Sequence, residues 1–417
     1  MIALAVTVAA LGNFVDTYDL LLFSVVRVAS LRDLGLSGAA LTSDGLLLLN
    51  LQMFGMLVGG ITWGVLGDKR GRLSVLFGSI IVYSLANLAN AYVTSFPAYA
   101  AMRLVAGIGL AGELGAGITL VAEILPREKR GYGTMAVAAV GLLGAGAAVL
   151  VSRQVGWRNC YLIGGLGGLF LLVLRAGVRE SSMFARLRSA AVEHGNFLLL
   201  FRTRRRLLRY LACIAVGLPI WYVTGILVTL APEFGRALHL RGELLAGSAV
   251  LLSYCGGTLG DVLSSLLSQV THSRKQALFT FLLIYGGSAA VCHFLTGVQA
   301  SSFVWMYLLL GIGSGFWVTL LTVGAEQFGT NIRATVATTV PNFVRAMAIP
   351  ITGGFALLSP RVGFLGASAV VGVVCFGISL LAASQLRETF GEDLDYPEED
   401  AAPPLQRPHT EESCASS

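Results

Sequence analysis

Two aspartates, one glutamate and two arginines interrupt stretches of this 417-residue sequence that are otherwise apolar. Asp16 and Asp19 stand three residues apart in Asn13-Phe14-Val15-Asp16-Thr17-Tyr18-Asp19-Leu20, so on a helix they share a face, one turn apart. A carboxylate inside a membrane span is costly unless paired or hydrated, and two on one face call for a polar cavity or a buried cation. Carboxyls so placed can share and exchange a proton, which makes one of the pair a candidate proton carrier. The natural cation is Arg103, in Arg103-Leu104-Val105-Ala106-Gly107-Ile108-Gly109. Its guanidinium can hold the carboxylate, and protonation or an anionic cargo can then compete for it. Glu113 follows about 80° further around the same helix and either lines the cavity or supports it. Arg345 lies between Pro341 and Pro350, in a helix expected to be broken there, and is either a second anion site or a structural partner. Trp221, Tyr222, Trp305, Tyr307, Phe316 and Trp317 supply aromatic faces with polar tips. Trp221 and Trp305 fall near the ends of apolar runs, where an interfacial belt is the ordinary expectation.

These residues need elements to carry them, and the composition says which kind. The chain is 55% hydrophobic and 12% charged, with a mean hydropathy of +0.75, too little polar surface for a soluble globule of this length. A bilayer crossing takes about 20 residues, and such runs fall at 3–28, 44–66, 73–93, 97–125, 132–152, 158–177, 208–231, 244–269, 276–296, 302–326, 334–358 and 362–386. The fold class read from them is an all-α polytopic membrane protein with 12 transmembrane helices. Lys and Arg concentrate in the loops after even-numbered runs, including nine arginines in and beside the central linker, so those loops and both termini are expected in the cytoplasm. The net charge of +6 is accordingly a topology signal rather than a nucleic-acid footprint. The organisation read from this is a bundle over 1–177, a basic cytoplasmic linker over 178–207, a second bundle over 208–387 and a disordered acidic tail over 388–417. Six cysteines and five histidines show no metal-ligand or redox spacing, and His293, inside a run, reads as a satisfied helix contact. No enzyme constellation appears and no cofactor or metal is implied.

The stretch Gly64-Val65-Leu66-Gly67-Asp68-Lys69-Arg70-Gly71-Arg72 matches G-x-x-x-D-[RK]-x-G-[RK], the pattern between the second and third spans of the major facilitator superfamily, and the chain resembles a member. Three echoes relate its halves. They are Gly64-x-x-x-Asp68 with Gly257-x-x-x-Asp261 at a shift of 193, Gly107-Ile108-Gly109 with Gly311-Ile312-Gly313 at 204, and Glu123 and Arg130 with Glu326 and Arg333 at 203. The resemblance implies two pseudo-symmetric six-helix bundles with the cargo held near mid-membrane between them. It further implies a cytoplasmic gate made of Asp68, Arg72, Glu123, Arg130, Asp261, Glu326 and Arg333.

Asp16-Thr17-Tyr18-Asp19 looks like the D-x-[YF]-D signature of proton symporters for phosphate and aromatic acids. Arg103-x-x-x-Gly107-x-Gly109 resembles the span-four pattern tied to proton coupling, and Glu180-Ser181-Ser182-Met183-Phe184 resembles E-S-P-x-[FWY] of the sugar-porter-like branch, with Ser182 in place of its proline. The expected function is secondary active transport by alternating access. Proton-coupled uptake of a small anionic organic solute leads, with a facilitator or exporter of the same fold, or a non-transporting sensor signalling through the acidic tail, as alternatives. The implied proton-coupling residues are Asp16, Asp19 and Arg103; those for substrate are Arg103, Glu113, Tyr222, Tyr307, Trp317 and Arg345. The implied partners are a small molecule, the proton and the bilayer, with the chain a monomer in a plasma or bacterial inner membrane.

Overall fold

The computed structural model describes residues 2–70, 72–113, 130–175, 200–328 and 330–391. Almost all of them are helical. The first half holds α1 (Ile2–Asp33), α2 (Ala40–Arg70), α3 (Arg72–Asn90), α4 (Phe96–Leu110), α5 (Arg130–Gln154) and α6 (Trp157–Arg175). The second half opens with α7 (Arg204–Val216), α8 (Leu218–Tyr222) and a π-helical stretch (Val223–Val228), which together make one crossing, followed by the short α9 (Ala231–Ala237). α10 (Ala246–Val270) and α11 (Arg274–Phe294) come next, then a crossing in pieces, α12 (Ala300–Phe303), α13 (Trp305–Ser314) and α14 (Phe316–Glu326). α15 (Thr330–Ala346) and α16 (Ala348–Gln385) complete the fold.

Seven helical stretches among the described residues are long and apolar enough to cross a bilayer, and one of them, 339–385, is long enough to do so twice. Gly363, at φ 73° and ψ 171°, breaks that stretch and turns the chain back, close to the boundary expected at 358–362. The break expected around Arg345 is a single residue wide. Pro341 sits inside α15, and only Met347 separates α15 from α16, with its amide still bonded to the Phe343 carbonyl at 3.1 Å. The Met347 amide bonds carry the chain across without freeing a run of carbonyls.

Lipid gives apolar helices little reason to associate, so close approach of backbones through small residues has to hold the bundles. Gly55 and Gly59 of α2 lie on the carbonyls of Leu104 and Ile108 in α4, and Gly107 lies on that of Gln52. The second half repeats the device: Gly256 and Gly260 of α10 lie on the carbonyls of Leu308 and Ile312, and Gly311 lies on that of Ser253. Gly109 abuts Tyr83 as Gly313 abuts Tyr285. The α4-to-α13 correspondence thus runs at the shift of 204 seen in the sequence. The α2-to-α10 correspondence runs at 201, which corrects the echo drawn at 193 by eight residues, about two helical turns. In that register Asp261 matches Gly60. It lies nine residues before the end of α10, in the body of the crossing, and so leaves the gate set.

The end of the bundle carrying the α1–α2 connection is called the odd-loop face below, and the opposite end the even-loop face. Arg153 of α5, whose guanidinium bonds Ser248 of α10, belongs to the odd-loop face, where the two halves also meet.

Candidate functional site

Asp16 on α1 and Arg345 on α15 come from opposite halves and meet where those halves touch. Arg345 Nη2 lies 4.0 Å from Asp16 Oδ2, and Arg345 Nη1 reaches Asn342 Oδ1 at 3.5 Å. Both side chains are buried, yet both contacts are at the outer limit of their kind, and Asp16 Oδ1 has no partner. Polar contacts between the halves flank the pair. Thr352 donates to Asn50 Oδ1 at 2.7 Å, Asn342 Nδ2 reaches the Ala111 carbonyl at 3.4 Å, and the Asn342 side chain covers Gly60. A guanidinium this loosely held can exchange its carboxylate for that of another molecule.

Arg103 is held differently from the sequence expectation. No salt bridge joins it to Asp16 or Asp19 among the described residues. Gln52 of α2 accepts one hydrogen bond from Nη2, Tyr161 takes another from Nη1 at 3.4 Å, and Phe23 lies beneath the guanidinium at 4.7 Å. Tyr161 is fixed in turn by Tyr99, 2.7 Å between hydroxyls. Asp19 itself is buried with neither carboxylate oxygen bonded. Gln52 therefore stands where a direct Arg103–aspartate bond was expected.

Glu113 is fully engaged inside the first bundle, in the supporting place that was one of its two expected readings rather than at the cargo. Arg175 grips it in a fork, Nη1 to Oε1 at 2.9 Å and Nη2 to Oε2 at 2.6 Å, and Ser79 donates to Oε1 at 2.9 Å. Arg175 also reaches the Leu76 carbonyl at 2.9 Å, so the cluster ties α3 and α6 to the segment that follows the turn after α4. Arg175 closes the apolar run at 158–177 and so reads in the sequence as one of the arginines beside the linker. Burial of a glutamate was the available signal that a cation had to be near.

The expected aromatic cargo residues lie in the second bundle. Tyr222 is buried against Gly372 and Phe376 with its hydroxyl 3.4 Å from Ser368, and Tyr307 donates to the Leu227 carbonyl at 2.9 Å. Both hydroxyls are committed within that bundle, whereas Trp317 is only partly buried. Trp221 is buried rather than in a belt, and Trp305 is exposed, as a belt residue would be. His293 bonds the Ala289 carbonyl at 2.8 Å and Ser368 at 3.1 Å, the satisfied contact expected. Among the described residues no cluster of His, Cys, Asp and Glu could hold a metal.

Residues 2–353 match the family profile described as Major Facilitator Superfamily. The chain belongs to the major facilitator superfamily. Its similarity to curated proteins spans most of both sequences. It is 24% identical over 392 residues to a probable 4-methylmuconolactone transporter of Cupriavidus pinatubonensis, covering 91% of this chain and 89% of that protein. It is 28% identical over 394 residues to a putative niacin/nicotinamide transporter of Bacillus subtilis, covering 90% and 93%. Among solved structures, a D-xylose–proton symporter superposes with a TM-score of 0.71 at 18% identity, covering 94% of this chain and 100% of the other, which places the fold. This superfamily member is thus an integral multi-pass membrane transporter and not an enzyme.

In this superfamily chain both ends of the path between the halves carry charges. At the odd-loop face Arg27 of α1 crosses to α9. Its Nη2 meets Glu233 Oε1 and Oε2 at 2.8 and 2.9 Å and the Thr229 carbonyl at 3.2 Å, while Nη1 donates to the Leu41 carbonyl at 2.6 Å. Ser24 and Thr229 add a hydroxyl pair at 3.0 Å. Arg27 is wholly buried, although it closes the first apolar run, where a loop charge is the ordinary case. At the even-loop face the proposed gate is only partly in view. Asp68, Arg72, Arg130 and Arg333 fall on α2, α3, α5 and α15, but their side chains, and Glu123 altogether, lie outside the described residues. Glu326 does form a pair, with Arg274 at 3.4 Å, and accepts from Thr389 at 2.6 Å.

Proposed function

We propose that the chain is a proton-coupled importer of small anionic organic solutes, with ring-bearing carboxylates the leading class, working as a monomer with both termini in the cytoplasm. The observation that carries this reading is the loose Arg345–Asp16 contact between the halves. With Asp16 ionised, its charge occupies Arg345. A proton on Asp16 frees the guanidinium, and a cargo carboxylate takes the vacated place, so that one proton and one anion are bound together. The names of the relatives point the same way, since niacin is a flat ring with one carboxylate. Lys and Arg in the even-numbered loops support uptake from the odd-loop face.

The test is accumulation in proteoliposomes with an imposed inward proton gradient, using labelled nicotinate, a benzoate and xylose as cargoes. An acid should accumulate and xylose should not. Arg345→Gln should lower acid uptake at least about tenfold, the scale of a lost hydrogen bond to a charge. Asp16→Asn should remove the response to the gradient. Uptake equal with and without the gradient in the wild type would refute proton coupling.

A further inference from the structure

A row of polar side chains inside the first bundle is short of partners in the protein, with Asn87 and Asp19 close to one another but otherwise unsupported. On α3, Tyr83, Ser84, Asn87 and Asn90 follow at helical spacing, all no more than 1% exposed. The Tyr83 hydroxyl, Ser84 Oγ, Asn87 Nδ2 and both side-chain polar atoms of Asn90 are unbonded, and so are both oxygens of Asp19 on α1. These groups adjoin one another. Asn87 stands beside the Asp19 carboxylate, Asp19 lies on Gly164 of α6, and Ser84 and the Tyr83 hydroxyl lie on Gly168 one turn further along. The charged groups bearing on Asp19 from its surroundings are Asp16 on its own helix and Arg103 on α4.

An unpaired buried amide or hydroxyl in a membrane-embedded bundle costs several kcal/mol, so the row cannot be dry. A cation would satisfy the oxygens but not the Asn87 and Asn90 amide N–H groups. Water, which both donates and accepts, satisfies all of them. The fold does not require such a row. At the shift of 202 that relates Tyr83 to Tyr285, the places of Ser84, Asn87 and Asn90 are taken on α11 by Gly286, Ala289 and Cys292. Asn90 is the last residue of α3, and exposed Tyr92, Thr94 and Ser95 follow at the odd-loop face.

We infer that this row is a hydrated seam, separate from the cargo path, that carries protons from the odd-loop face past Asn90 and Asn87 to Asp19. The seam rests on the proton-coupled reading for its purpose but not for its existence. Asn87 and Asn90 act as positioning residues for water, and each proton handed inward is replaced by one from the aqueous phase at Asn90.

Two measurements test it. Radiolytic hydroxyl labelling of the intact wild-type protein reads bound internal water directly. Tyr83, 0% exposed, should label as readily as Tyr92, which is 74% exposed, while its counterpart Tyr285, 2% exposed, should not. An unlabelled Tyr83 overturns the seam. In proteoliposomes, Asn87→Leu with Asn90→Leu should slow gradient-driven uptake at least about tenfold at unchanged KM for cargo. Asn87→Ser with Asn90→Ser, which keeps polar groups at both places, should restore most of it. Unchanged uptake in the correctly folded leucine variant overturns the proton path. If Tyr83 labels but no cargo responds to a gradient in the wild type, the seam stands and the coupling reading fails.

Discussion

Glu388, just past the end of α16, is a carboxylate whose ionisation can be followed from the aqueous side. Burial works against its charge, but hydrogen bonds from Ser273 Oγ and the amides of Arg274, Lys275 and Phe390 outweigh it and hold the carboxyl down at about 2. The depressed value means that the stabilisation is complete above the ordinary carboxyl pKa of about 4.5 and is lost as pH falls toward about 2. Thermal unfolding of wild type against Glu388→Gln should show a constant gap above pH 5 that narrows steadily below about 4.5. A gap that instead widened on acidification would contradict the assignment. This residue also moves a boundary, because the tail expected to be disordered from 388 is pinned through Phe390, whose ring meets His272 at 5.1 Å and the Arg274 guanidinium at 5.3 Å. Other single residues divide by how isolated they stand in the sequence. Asp16, Asp19, Arg103 and Arg345 were legible because a charge in mid-run has no bland explanation. Arg27 and Arg175 were not, since each sits near the end of an apolar run, where a snorkelling or loop charge is the ordinary case.

At the scale of elements, the glycine contacts between α2 and α4 and between α10 and α13 carry the clearest mechanical prediction. A methyl group at Gly107 or Gly311 would run into backbone carbonyls, which cannot rotate away. Gly107→Ala and Gly311→Ala should each destabilise by about 1–3 kcal/mol or more, seen as lower melting temperatures of purified protein. Gly287→Ala on α11, where nothing lies within 4 Å, should be neutral. Equal melting temperatures for all three would show that these helix pairs are not in contact. The repeat itself was readable from Gly107-Ile108-Gly109, whose three residues are all fixed by packing. Gly64-x-x-x-Asp68 misled because a two-residue pattern recurs readily in a chain with 51 glycines, and only the packing partners of Gly256 and Gly260 settle the register. The Arg103 interaction was missed for a related reason. Gln52 lies on a different helix, and no spacing along the chain announces which side chain will come between.

For the whole molecule, the two halves, their order and the central place of Asp16 were foreseeable from apolar runs and internal repetition. The closure of the odd-loop face was not, because Arg27 and Glu233 are 206 residues apart and meet only through the assembled bundles. Opening that face requires the fork between them to part. Breaking a buried pair by removing one member costs about 3–5 kcal/mol. At 1.4 kcal/mol per factor of ten, Glu233→Gln should therefore shift the balance toward the opened form by at least about 100-fold. Cysteines placed at Ser24 and Thr229 should react with water-soluble thiol reagents much faster in that background. Restoring a pair by the exchange Arg27→Glu with Glu233→Arg should slow them again, and no change in either variant would remove this contact from the closure.

The location of that contact also decides what it feels. Dissolved ions weaken attractions they can surround, and Arg27 is sealed from them, whereas Arg158 and Asp33, joined at the same face, are both partly exposed. Salt on that side of the membrane should loosen the rim and leave the lock beneath it equally tight.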